Sequence, residues 1–241
     1  MTLFKLVLTA LVSFVIAGCA HPIQISPDLA RLERAPDAPP RLALKIGYYI
    51  PAEVASVEIT TAGGGGDNVR YYPYRDMESG FQKVLSNVFE SVVKLTSISD
   101  GPTRSRDGLS YVIVPAVVTS SGGSGFFTWP PTNFTVDLTT QVRDTDGRSI
   151  TSTRVVGTGS AETGERLSEH GFAGKRAMED ALLKMQAALS EVNFRDAPQR
   201  RPTANKSSAA ERLAKLKELK DAGLLTDREY EEKRREILDS L

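Results

Sequence analysis

The chain has 241 residues, 40% of them hydrophobic and 25% charged, with 30 basic residues against 30 acidic ones. That length supports one sizeable core plus an appendage, and the balanced charge excludes a broad field that would draw in DNA or an anionic membrane. One cysteine and two histidines exclude an intrachain disulfide and leave no Cys or His cluster at metal-ligand spacing.

Residues 1–18 open with Lys5 and an apolar run from Leu6 to Ile16, followed by Ala17, Gly18 and Cys19. The run is shorter than the ~20 residues of a spanning helix, so it predicts a cleaved signal. Ile16-Ala17-Gly18-Cys19 resembles the lipobox of bacterial lipoproteins. The resemblance implies cleavage between Gly18 and Cys19, diacylation of the Cys19 thiol and acylation of the new amino terminus. An ordinary signal peptide that ends near a cysteine is the plainer alternative. Ala20, where many Gram-negative lipoproteins retained at the inner membrane carry Asp, implies the periplasmic leaflet of the outer membrane; inner-membrane retention is the alternative. The lipid on Cys19 is the one covalent group expected, and no other cofactor is.

Residues 19–40 hold Pro22, Pro27, Pro36, Pro39 and Pro40. Prolines remove backbone donors and fix φ, so this stretch predicts an extended, mobile tether. Residues 41–194 predict an α+β domain. Leu42 to Ile50 alternates as a strand, Val54 to Thr60 is a second candidate strand, and Gly63 to Asn68 a flexible loop or hairpin tip. Met77, Phe81, Val84, Leu85, Val88, Phe89 and Val92 form a helical stripe from Asp76 to Lys94, with Asp76 as the N-cap. Tyr111 to Val118 is almost wholly apolar and suits a central strand. Phe134 to Val142 alternates strictly, Asp144 to Gly147 is a turn, and Ser149 to Ser160 is the returning strand. Phe172 to Val192 is a second amphipathic helix. The expectation is a mixed or antiparallel sheet with two helices on one face. This element order resembles small envelope α/β domains of the Tol type.

Within that domain, residues 120–132 read SSGGSGFFTWPPT. Phe126, Phe127 and Trp129 lie among glycines and prolines, either to dock a partner or membrane interface or to fold back into the core. Candidate active sites are weak. No Gly-x-Ser-x-Gly elbow or P-loop occurs. Asp137, Asp144 and Asp146 read as strand and turn chemistry rather than a carboxylate pair for calcium or acid–base work. Gly157-Thr158-Gly159 is no dinucleotide fingerprint, and its glycines read as bulges or places of close backbone approach.

Residues 195–208 predict a linker, and residues 209–241 a helical hairpin. Leu213, Leu216 and Leu219 line the first helix, which ends at Gly223. Leu225 follows the turn, Thr226-x-x-Glu229 forms a capping box, and Tyr230, Ile237, Leu238 and Leu241 line the second helix. The run Leu213-x-x-Leu216-Lys217-x-Leu219-x-Asp221-x-Gly223-x-Leu225-Thr226-x-x-Glu229-Tyr230 resembles the SHOCT family, a short C-terminal domain. That resemblance implies interaction or oligomerisation. Physics points the same way, since a hairpin below ~40 residues rarely secures itself without a disulfide, a metal or association. The expected function is a non-catalytic binding or accessory factor of an envelope complex. It would partner the membrane and an envelope protein or itself, with no nucleic acid and no small-molecule substrate. The alternatives are a structural subunit of an outer-membrane oligomer or secretion channel, and an envelope hydrolase.

Overall fold

The computed structural model describes residues 20–97, 108–123 and 129–194, together with 216, 217, 220, 230, 231 and 233–235. The chain divides into two units, Met1–Phe194 and Arg195–Leu241. The first unit is α+β. Its strands are β1 (Ala20–Pro22), β2 (Leu42–Tyr49), β3 (Ile59–Gly64), β4 (Asp67–Tyr71), β5 (Phe89–Leu95), β6 (Tyr111–Gly122), β7 (Asn133–Arg143) and β8 (Ser149–Ser160). Its helices are α1 (Ala52–Ala55), α2 (Pro73–Val88), α3 (Thr163–Ser168) and α4 (Phe172–Glu191), plus a 3-10 turn at Leu29–Leu32.

The main sheet has the order β5-β2-β6-β7-β8. β2 runs parallel to β5 and β6, whereas β6, β7 and β8 form an antiparallel meander. Alternation along β7 does what its pattern predicts: Phe134, Val136, Leu138, Thr140 and Val142 are all buried, and α4 packs over β7 and β8 while α2 packs on α4. The helix reaches β8 backbone to backbone. A Cβ on Gly157 would stand 2.6 Å from Cβ of Ala181, and one on Gly159 2.5 Å from the Ala177 nitrogen. The turn into β8 is made by Asp144, whose Oδ1 accepts the N–H groups of Asp146 (3.0 Å) and Arg148 (2.8 Å).

β8 is an edge strand, and α4 closes its outer side. Thr158 N–H donates to Asp180 Oδ2 at 2.9 Å, Lys184 Nζ donates to the Val156 carbonyl at 2.9 Å, and Arg176 donates to the Ser160 carbonyl at 2.9 Å. Such edges otherwise offer unpaired backbone groups to other chains.

A second sheet, β1-β4-β3, lies beside β6. Hydroxyls stitch it there: Tyr71 to Thr119 at 2.7 Å and Thr61 to Ser121 at 2.5 Å. The strand expected over Val54 to Thr60 is instead the short helix α1 followed by β3. Gly63 to Asn68 is the tip of the β3–β4 hairpin, with the turn at Gly65 and Gly66 and positive φ at Gly64, Gly65 and Gly66. Neither β4 nor α3 was expected.

The first long helix differs at both ends from its stripe. It starts at Pro73, whose missing N–H costs nothing at the first helical position, so Asp76 lies inside the first turn and caps nothing. It stops at Val88, because Phe89 to Leu95 pairs with β2. Phe89 and Val92 continue the helical spacing by accident, and the β-branched pair Val92-Val93 favours the strand.

The largest correction concerns residues 20–40. They are a strap laid between the helices, not a mobile tether. β1 pairs parallel with β4, and Ile25 and Leu32 are fully buried. Ile25 fits against Gly174, and a Cβ on Gly80 would stand 2.5 Å from Pro27. The helices' buried polar side chains serve this strap. Asp76 accepts Ile25 N–H, Glu179 accepts Asp28 N–H at 2.9 Å and pairs with Arg31 at 3.0 Å, and Asn87 donates to the Leu32 carbonyl at 2.8 Å. Proline composition misled because a residue without an N–H is also one fewer donor to satisfy on burial.

Candidate functional site

Of the residues singled out by sequence, Gly18, Cys19, Phe126, Phe127, Leu213, Leu219, Leu225, Ile237 and Leu238 lie outside the described residues. Trp129, Leu216 and Tyr230 lie within them.

Trp129 is half-buried at one end of the first unit. Its ring sits between the chain's two histidines, 4.7 Å from the His21 ring and 4.5 Å from the His170 ring. A Cβ on Gly63 would stand 3.1 Å from it. The indole N–H has no acceptor among the described residues. Three chain segments therefore meet on one side chain: β1, the β3–β4 hairpin and the stretch before α4 that holds His170. His21 in turn lies 3.7 Å from Asp67 in that hairpin. The same end carries a shallow cavity of about 620 Å³ lined by Gly64, Gly65, Gly66, Asn68, Gly122 and Gly123. Sequence reading treated His21 and His170 separately and missed their meeting on Trp129; no spacing could have signalled it.

A second concavity, about 690 Å³, is lined by Ile50, Ala55, Tyr72, Arg75, Glu78 and Leu95 among others. Its charges are engaged with one another or with rings. Lys94 pairs with Glu78, and the Arg75 guanidinium lies 3.8 Å from the Tyr72 ring centre. Tyr48 donates to Glu78 at 3.3 Å. Burial, and after it the Glu78 carboxylate, pushes the Tyr48 phenol up to about 12. What the cleft offers a ligand is an apolar floor with a paired rim.

The sheet face away from the helices is exposed around Asp137, whereas Val112 on the same face is fully buried. Val118 and Val156 are 70% and 45% exposed, and they flank Asp137 in the same cross-strand row. Asp137 is held by Arg154 through Nε at 2.9 Å and Nη2 at 2.5 Å, which keeps its carboxyl below the usual range. Asp144 is likewise engaged, in its turn. Among the described residues no three His, Cys, Asp or Glu side chains converge as a metal site would require.

In the second unit the described positions are helical. Leu216 is buried, and Lys220 Nζ lies 4.5 Å from the centre of the Tyr230 ring. Positions ten residues apart are thus in contact. Residues 211–238 match the short C-terminal domain, SHOCT. The SHOCT match lies within the second unit.

No curated protein matches the chain. Solved structures align with it at low similarity. A protein of family DUF330 from Xanthomonas campestris is 17% identical, with a TM-score of 0.40 over 71% of this chain and 91% of that one. A homologue of neuraminyllactose-binding hemagglutinin from Helicobacter pylori is 8% identical, with a TM-score of 0.42 over 69% and 94%. A dodecameric PelC variant from Paraburkholderia phytofirmans is 15% identical, with a TM-score of 0.31 over 60% and 94%.

Proposed function

We propose that the chain is a lipid-anchored envelope protein that acts by binding. In this reading Cys19 is acylated after cleavage of residues 1–18, the α+β unit is held at the periplasmic leaflet of the outer membrane, and the SHOCT segment recruits an envelope partner or a second copy. It has no catalytic step and needs no cofactor beyond the lipid. The observation that carries it is the SHOCT match at 211–238, in a unit separate from the α+β core. A segment that small buries too little apolar area to stand alone, and its leucine stripe gains most from a protein surface. The lipobox-like run at the other end of the chain supplies the membrane attachment. Two or more acyl chains, at about 0.8 kcal/mol per buried CH₂, make a stable anchor.

The test is in-cell cross-linking of the full chain and of a version ending at Phe194, followed by purification from membranes. A partner captured by the full chain and lost on truncation supports the reading. Capture unchanged by truncation overturns the role given to the SHOCT segment.

A second reading, a structural subunit of a homo-oligomer, is favoured by the exposed Val118 and Val156 on the sheet face away from the helices. It requires a defined assembly of the truncated version alone, measured by light scattering in detergent.

A further inference from the structure

We infer that the α+β unit sits directly on the lipid surface, with no spacer, and that the end carrying Trp129 is the face turned to the bilayer. This rests on the proposed acylation of Cys19. The residue after Cys19 is Ala20, which already belongs to β1 and stands opposite Asn68 of β4. Consecutive Cα atoms are ~3.8 Å apart, so an acylated Cys19 is tied within one residue of a strand. From that strand the chain runs on into the buried strap, so no later segment supplies slack.

Ala20 marks which end faces the lipid. Opposite it lies the β3–β4 turn, and beside that turn β6 ends at Gly122, with Gly123 next in the chain. Glycines at both places present backbone rather than long side chains, which lets the protein surface approach a headgroup layer closely. The nearby acid, Asp67, faces His21. Trp129 rests on that same His21, two residues from the acylation site, and Trp is a residue of the membrane–water interface. Lipid is the occupant because the anchor leads there: a surface one residue from an acylated cysteine meets the bilayer first.

The single tryptophan is the native probe. The full chain, with its signal, is produced in a bacterium able to acylate it and reconstituted into phosphatidylcholine vesicles brominated close to the headgroup end of the acyl chains. Co-flotation reports anchoring, and Trp129 emission reports distance from the bromines. The expected result is flotation together with loss of emission relative to non-brominated vesicles. A second version carries about 15 Gly and Ser residues between Cys19 and Ala20, a coil with a reach of roughly 20 Å. It should float equally and recover its emission. Flotation with no quenching of the native chain overturns the direct seat and leaves the anchor standing. Quenching unchanged by the spacer also overturns it, since another segment would then bring Trp129 to the lipid. Failure to float overturns the anchoring reading and the seat with it.

Discussion

The carboxylate of Asp76 accepts the backbone N–H of Ile25 at 3.2 Å, across 51 residues of sequence. Asp76 is itself buried, with the Arg75 guanidinium 3.6 Å away. The bond joins the strap to the first turn of α2, and nothing else described replaces it. Asp76→Ala leaves Ile25 N–H buried and unpaired, which costs about 1–3 kcal/mol. Urea unfolding should show this as a lower midpoint at unchanged slope.

Asp76 also gives stability a pH dependence. Burial outweighs the Ile25 N–H and Arg75 and raises the Asp76 carboxyl above its ordinary value of 3.8. Between the ordinary and the raised value, the folded protein holds a proton that the unfolded chain has lost. This contribution to stability is therefore largest in acid and falls as pH rises through that interval. Asp76→Asn keeps an acceptor and removes the titration. Its stability curve should be flatter than the parent's across that interval; parallel curves would count against the assignment.

Ile25 is the strap's main apolar contact. Ile25→Ala should cost about 2–5 kcal/mol, the range for emptying a fully occupied core position. A mobile tether predicts no change at all. Limited proteolysis is an independent check, because cleavage between residues 20 and 40 should become fast only in the variant.

Thr140 lies in the buried row of β7 between Leu138 and Val142, and its hydroxyl has no partner among the described residues. Thr140→Val keeps the shape and removes the unpaired group. The substitution should raise stability by about 1 kcal/mol, seen as a higher melting temperature.

Gly157 and Gly122 belong to one sheet but sit in opposite situations. A Cβ on Gly157 runs into α4, whereas one on Gly122 meets nothing within 4 Å. Gly157→Val should lose about 1–3 kcal/mol or more by overpacking. Gly122→Ala should be neutral or slightly stabilising through the unfolded chain. Thermal melts of the two variants side by side check the contrast.

The meander and both long helices were legible because each buries one face and therefore carries a period. Phe134 to Val142 shows period two, and Met77 to Val88 and Phe172 to Leu189 show the helical one. The SHOCT segment was legible from its leucines, Gly223 and capping box. The strap was not, because its burial depends on single side chains fitting gaps left by Gly80 and Gly174, more than fifty residues away. Composition reports no such fit. The meeting of His21, Trp129 and His170 was hidden for the same reason: three isolated residues become neighbours only through the pairing of β1 with β4 and the path into α4.

Helix α4 both fills the core and guards β8 through Arg176, Asp180 and Lys184. Solubility and folding are therefore coupled at one element. Any event that lifts α4 away uncovers Gly157 and Gly159 and frees the carbonyls and N–H groups of a long edge strand in the same step. A form with α4 detached is thus also a self-adhesive one, and precipitation should track detachment of α4 rather than melting of the sheet.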